Sequence, residues 1–253
     1  MSLLSILGFG FLLGVRHASD ADHVVAVSSI VAGKPRKGAW LLGAVWGLGH
    51  SLTVLVFGGL LIWLRLEVSP RVGLGLEFTV GIVLIVLGTL SVMGLWNSGV
   101  VAHTHEHGHG HGEHSHRDPT KKERSHEHEH LHLPEHVRAM PTSSLIRSAL
   151  VGVAHGLAGS AAVALLVAST ISDTHLALLY LAVFGLGTMA GMALLTALMQ
   201  WSMSKLASWW APGERALGIA TGVLSLGFGA WIAYESAFSG GGFLSAAPSW
   251  TPH

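Results

Sequence analysis

Six apolar stretches, each long enough for a helix to cross a bilayer, dominate this 253-residue chain. A spanning helix needs about 20 mostly apolar residues. The stretches run over about Ser2–Ala32, Ala39–Leu64, Leu74–Trp96, Ser144–Thr170, Leu176–Ser202 and Leu217–Phe238. Half of the residues are hydrophobic and only 11% are charged, against roughly 25% charged in a soluble domain. Mean hydropathy is +0.55. A water-soluble globule is excluded on these grounds, and an all-α integral membrane protein is expected. Many of the 33 glycines fall inside the stretches, as close packing of membrane helices requires. The N-terminus lacks a basic leader region, so the first stretch reads as a retained helix.

Two further composition facts narrow the chemistry. Lys+Arg and Asp+Glu balance at 14 each, so the basic face of a nucleic-acid binder is missing. No cysteine is present. That removes disulfides, thiolate metal sites and cysteine nucleophiles. The 18 histidines are the anomaly, and they point toward metal.

Sliding the chain by 138 residues matches its halves without a gap. Leu12-Leu13-Gly14-Val15-Arg16-His17 falls on Leu150-Val151-Gly152-Val153-Ala154-His155. Ala44-Val45-Trp46-Gly47-Leu48-Gly49 falls on Ala182-Val183-Phe184-Gly185-Leu186-Gly187. Three spans per half make an odd number, so the second half must insert upside down. The expected fold is six transmembrane helices as two inverted three-helix repeats, an architecture of secondary transporters. Residues 1–97 form the first repeat and 143–240 the second, joined by 98–142 and followed by a flexible tail over 241–253. The halves differ in charge. Asp20, Asp22, His23 and His50 fall on Ala158, Ser160, Ala161 and Thr188, and only His17 keeps a histidine partner, His155.

Orientation follows from Lys and Arg in the loops. Lys34, Arg36 and Lys37, then Arg117, Lys121, Lys122, Arg124, Arg138 and Arg147, then Lys205 and Arg215 share one side. The other side has Arg65 and Arg71. In the cytoplasmic membrane of the cell, both termini are therefore expected outside and the long loop in the cytoplasm.

Arg16, His17, Asp20, Asp22 and His23 interrupt the first apolar stretch. Ionisable groups at membrane depth are costly and generally face an interior or a water-filled path. On a regular helix His17, Asp20 and His23 form one stripe and Asp22 points elsewhere. An unwound segment would let all four converge, and unwound backbone is tolerated where it lines a cavity. Imidazole with carboxylate suits a borderline divalent ion such as Ni²⁺, Co²⁺ or Zn²⁺. His50, behind Gly47-Leu48-Gly49, is a natural partner, with the glycines pressing its helix against the first. Ser160, Thr188 and His155 are supporting candidates, and a lone membrane histidine such as His155 can equally serve as a bond between helices. Arg16 would repel a cation and is expected to pair with an aspartate or a lipid headgroup. Asp173 and His175 read as a solvated loop pair.

The central loop carries twelve histidines: His103, His105, His107, His109, His111, His114, His116, His126, His128, His130, His132 and His136. Alternating His, Glu and Gly builds no apolar core, so this segment is expected to be disordered when empty. Histidine tracts bind metals, and this one suits buffering or delivery better than selection.

Arg16-His17-Ala18-Ser19-Asp20-Ala21-Asp22-His23 resembles the H-x-x-x-x-D-H signature of the nickel/cobalt transporter family, in its wider R-H-A-x-D-A-D-H form. Leu48-Gly49-His50-Ser51 resembles that family's L-G-H-[ST] motif. His155-Gly-Leu-Ala-Gly-Ser160 is similar to membrane proteins described as urease-accessory or high-affinity nickel-transport proteins. The resemblance spans nearly the whole chain outside the loop. It implies a fold similar to the LysE-type amino-acid exporters. It also implies Ni²⁺ or Co²⁺ as transported substrate, His17, Asp22, His23 and His50 as ligands, and nickel-enzyme maturation proteins as partners. Classical uptake members have eight spans, and the six-span build with a histidine loop also resembles the efflux branch, so uptake and efflux both stand as readings.

No G-x-x-x-x-G-K-[ST] motif is present, so no nucleotide drive is expected, and no prosthetic group is implied. Two other classes compete. A membrane metalloenzyme would use bound metal for hydrolysis or oxidation, but neither a separate base nor a nucleophile stands out, and the chain is not expected to be an enzyme. An accessory or storage protein would use the loop and treat the spans as anchors, yet an anchor has no need of intramembrane aspartates.

Overall fold

A computed structural model describes residues 2–31, 38–66, 68–94, 142–157, 162–209, 213–239 and 241–250. The described residues form eight helices and no strand. In chain order these are α1 (Leu3–His17), α2 (Ala21–Val31), α3 (Ala39–Leu64), α4 (Pro70–Val92), α5 (Thr142–Leu157), α6 (Ala162–Ser169), α7 (Thr174–Trp209) and α8 (Gly213–Phe238). Helices α3, α4, α7 and α8 are each long and apolar enough to cross a membrane. The first apolar stretch is not a single helix: it divides into α1 and α2, while the fourth contains α5 and α6 with residues 158–161 between them outside the described residues.

Local chemistry sets several boundaries. The Ser2 hydroxyl accepts from Ser5 N at 3.2 Å and starts α1. Pro70 occupies the first turn of α4, where its missing N–H costs nothing. Asp173 starts α7. Its carboxylate accepts from Leu176 N at 3.0 Å, and that bond holds its pKa below the ordinary carboxylate value. The sequence expectation of a merely solvated Asp173 thus misses a helix cap.

The division between α1 and α2 is a tight turn. Ser19 N donates to Arg16 O at 2.9 Å and Asp20 N to His17 O at 3.0 Å, after which Val24 N returns to the helical pattern on Asp20 O. The Ser19 hydroxyl also donates to Arg16 O. These bonds satisfy carbonyls that the end of α1 would leave free.

Helix α3 packs on α7, α4 on α8, α1 on α7 and α5 on α3. Several close approaches recur at the 138-residue spacing. A Cβ on Gly14 would strike the Phe184 carbonyl, and one on Gly152 would strike the Trp46 carbonyl. A Cβ on Gly49 would lie 2.6 Å from Ala149 O, and one on Gly187 would strike Phe11 O. In each pair of contacts the two halves have exchanged roles. Gly47 faces Met189 of α7. The glycines before His50 therefore seat α3 on α5 and α7, not on α1 as the sequence suggests.

The exterior is apolar, and several polar side chains are buried among the apolar core residues. His23, His50, His155, Thr188 and Ser225 are buried, whereas Leu4, Leu52, Trp63, Leu150, Leu194 and Tyr234 are exposed. An apolar exterior of this kind meets acyl chains, and the chain is a multi-pass membrane protein. The sequence predicts a flexible tail from 241, but residues 241–250 are held against α4. Trp250 Nε1 donates to Glu77 Oε1 at 2.7 Å, and Phe243 meets Phe78 edge-on at 5.4 Å.

Candidate metal centre

Four histidines and one aspartate from four helices meet in the buried interior. His17 ends α1 and His23 lies in the first turn of α2, so the intervening turn folds both rings toward one point. Their centroids are 4.7 Å apart. His50 comes from α3 and His155 from α5. Centroids of His50 and His155 lie 5.2 Å and 4.5 Å from that of His23. None of the four histidines is more than 7% exposed.

The turn also decides where the aspartates point. Asp20 Oδ2 lies 2.7 Å from His17 Nδ1. A carboxylate accepts only, so His17 donates through Nδ1 and presents the lone pair of Nε2 inward. Orienting a ligating imidazole in this way is what an outer carboxylate does at metal sites. His17 Nε2 and His50 Nε2 are 3.3 Å apart, with one neutral ring donating to the other. Two nitrogens at about 2.0–2.1 Å from one tetrahedral ion would be separated by about the same distance. Asp22, which a straight helix would turn away, reaches the cluster. His155 Nε2 donates to its Oδ2 at 2.9 Å, and its Oδ1 lies 3.1 Å from His23 Nδ1. That second geometry is too bent for a hydrogen bond. Both ring nitrogens of His23 and the Nδ1 atoms of His50 and His155 thus have no hydrogen-bond partner among the described residues. A buried polar atom without a partner is expensive. A cation accepting several lone pairs would relieve that cost.

Two sets of three donors lie close enough to hold one ion, each with its donor atoms within 4.8 Å of one another: His17, His23 and His50, and Asp22, His23 and His155. The four candidate ligands from sequence, His17, Asp22, His23 and His50, are brought together. His155 joins them, and its hydrogen bond to Asp22 runs between α5 and α2. Thr188 is buried, but its hydroxyl donates to Phe184 O within its own helix. Arg16 is exposed and makes no ion pair among the described residues. Ser160 and the loop histidines from His103 to His136 lie outside the described residues.

Two aromatic rings that the sequence reading did not single out as site residues wall the cluster. His17 stacks at a tilt on Phe184 at 5.4 Å, and Trp46 stands 5.6 Å from His23 and 5.8 Å from His155. Trp46 and Phe184 occupy the same place in the repeat, so the signal for them was the repeated Ala-Val-(Trp/Phe)-Gly-Leu-Gly segment.

No family model and no solved structure matches the chain. Among curated proteins it is 35% identical over 201 residues to "Urease accessory protein UreH" of Bacillus sp. (strain TB-90), covering 78% of this chain and 77% of that one. Two shorter likenesses, each over 86 residues, are to chloroplast proteins of Arabidopsis thaliana, "Chloroplast protein FOR GROWTH AND FERTILITY" 1 and 2, at 31% and 34% identity. Each covers 33% of this chain and 23% of the relative.

Proposed function

The chain belongs to the UreH family of nickel/cobalt-transporter-like urease accessory membrane proteins, and from that premise we propose that it is a secondary transporter of Ni²⁺, or Co²⁺, working in the uptake direction across the cytoplasmic membrane. The carrying observation is the buried cluster of His17, Asp22, His23, His50 and His155, with ring nitrogens facing one another and lacking partners. The ion is the substrate, and the proposal includes neither a prosthetic group nor a catalytic step. Histidine and aspartate take a borderline divalent cation well, and the carboxylate offsets charge at a depth where charge is costly.

The exchanged contacts at Gly14, Gly152, Gly49 and Gly187 support two inverted repeats that rock about a shared site. In this reading α1 with α2 makes one discontinuous span and α5 with α6 its counterpart, giving six spans with both termini outside. The histidine-rich loop is then cytoplasmic, where it receives the ion or passes it to maturation proteins. Metal ligands must be deprotonated to bind, so accumulation should fall as the medium is acidified.

A second reading rests on the relative's name: an accessory protein whose histidine loop serves a nickel enzyme while the helices anchor it. Radioactive nickel accumulation in metal-starved cells separates the two. Cells expressing the intact chain should accumulate more nickel than empty cells, and His17→Ala at matched membrane levels should abolish the difference. Lower accumulation with the intact chain, restored by His17→Ala, would make the protein an exporter. Identical accumulation in all three would reject transport and favour the accessory role.

A further inference from the structure

The two donor triads share a single ligand. His23 belongs to both, His17 with His50 complete one, and Asp22 with His155 complete the other. The triads differ in origin. The first is drawn wholly from the first half of the chain, and the second needs α5 of the second half.

One member of each triad is related to the other by the exchange of halves. His17 and His155 are counterparts at the 138-residue spacing, as are the rings they lie against, Phe184 and Trp46. The His17–Phe184 contact at 5.4 Å and the His155–Trp46 contact at 5.8 Å are therefore one contact made twice. The His23 ring sits between the two histidines, 4.7 Å from His17 and 4.5 Å from His155. Its own counterpart is Ala161, so the centre holds one imidazole where exact symmetry would place two.

We infer that these triads are two successive positions for one ion, which passes from the His17/His50 side to the Asp22/His155 side by staying bound to His23. The inference rests on the transport reading above. Several observations carry it. Neither nitrogen of His23 is engaged in a hydrogen bond among the described residues, so its single lone pair, on whichever nitrogen is deprotonated, is free to hold the ion. The donor atoms are so close that two divalent ions could not occupy both triads without strong repulsion. His17 and His155, exchanged by the repeat, each belong to one triad, so under two inverted repeats they approach the ion from opposite halves. An ion moving between them moves across the pseudo-symmetry centre without losing all its ligands. The triads also differ in charge: one has three imidazoles, the other two imidazoles and a carboxylate. The Asp22–His155 hydrogen bond keeps the proton of a neutral His155 on Nε2 and leaves the Nδ1 lone pair unengaged among the described residues.

The test uses the full-length protein, loop included, in proteoliposomes and in detergent, with Ni²⁺ as the probe. A background variant, His17→Ala/Asp22→Asn/His50→Ala/His155→Ala, keeps the loop and measures nickel held there. Above this background the intact protein should bind one Ni²⁺ per chain. His155→Ala should still bind one ion while passage into the vesicles falls at least tenfold. His155→Gln preserves side-chain volume and the donor to Asp22, so it should fold as the intact chain does while also failing in passage. Loss of binding in His155→Gln equal to that in His17→Ala would mean one composite site and would overturn the stepwise path while leaving transport intact. Normal passage in His155→Gln, or two ions per chain above background, would overturn it as well. If the intact protein neither binds nor passes nickel beyond the background variant, the transport reading itself fails.

Discussion

His155 and Asp22, 133 positions apart in the chain, are joined by a 2.9 Å hydrogen bond from Nε2 to Oδ2 in the interior. The bond ties the second half of the chain to the charged segment that interrupts the first apolar stretch. It exists because α1 ends at His17 and the backbone turns over three residues before α2 begins. Asp22 then lies in the first turn of α2, where a negative charge is favoured by the helix dipole.

Asp20 lies 2.7 Å from His17 Nδ1, and in the proposed site it would act on the ion through that ring. Asp20→Asn keeps the shape but replaces an obligate acceptor with a side chain that can present an amide, so His17 loses its enforced tautomer. Loss of such an orienting partner costs roughly 10–100-fold in metal affinity. The nickel concentration for half-maximal uptake should rise by that order with little change in maximal rate. An unchanged half-saturation would show that Asp20 does not orient the ring.

The glycine approaches have no slack. Gly14→Ala and Gly152→Ala each push a methyl into a carbonyl of the neighbouring helix. Overpacking of this kind costs about 1–3 kcal/mol, and thermal unfolding of the detergent-solubilised protein should occur several degrees lower. Gly8, with nothing within 4 Å of its added Cβ, is the control, and Gly8→Ala should unfold with the intact protein.

Replacing 98–142 by a short Gly/Ser linker separates carrier from anchor. Uptake at saturating nickel should persist, and uptake from scarce nickel should weaken as the loop's twelve histidines are lost. Complete loss at all concentrations, with the protein still in the membrane, would mean that the loop performs the function.

Trp250 secures the C-terminal segment through Glu77. Trp250→Phe keeps an aromatic ring beside Gly73 but removes the donor. A hydrogen bond to a charged acceptor contributes about 1.5–3 kcal/mol. The variant should shed residues 241–250 to limited proteolysis faster than the intact chain, and a cleavage rate equal to that of the intact chain would show that the bond does not hold the segment.

The sequence by itself determined the solvent, the repeat and the ligands' chemistry. Six apolar stretches leave only a bilayer as surroundings, because every backbone group inside it must bond within a helix. A constant 138-residue spacing exposed the duplication, the segment from Arg16 to His23 stood out because charge in apolar sequence is costly, and the choice of His17, Asp22, His23 and His50 came from the family resemblance. Tertiary structure decided the rest. Periodicity on a straight helix turns Asp22 away, and only the turn after His17 brings it in. His155 alone is indistinguishable from a structural histidine until packing sets it beside Asp22. The glycines before His50 announced close packing but not the partner, since a missing Cβ has no direction in sequence. Which helices meet, and hence that two triads share His23, is settled by contacts between residues more than a hundred positions apart, which local spacing does not encode.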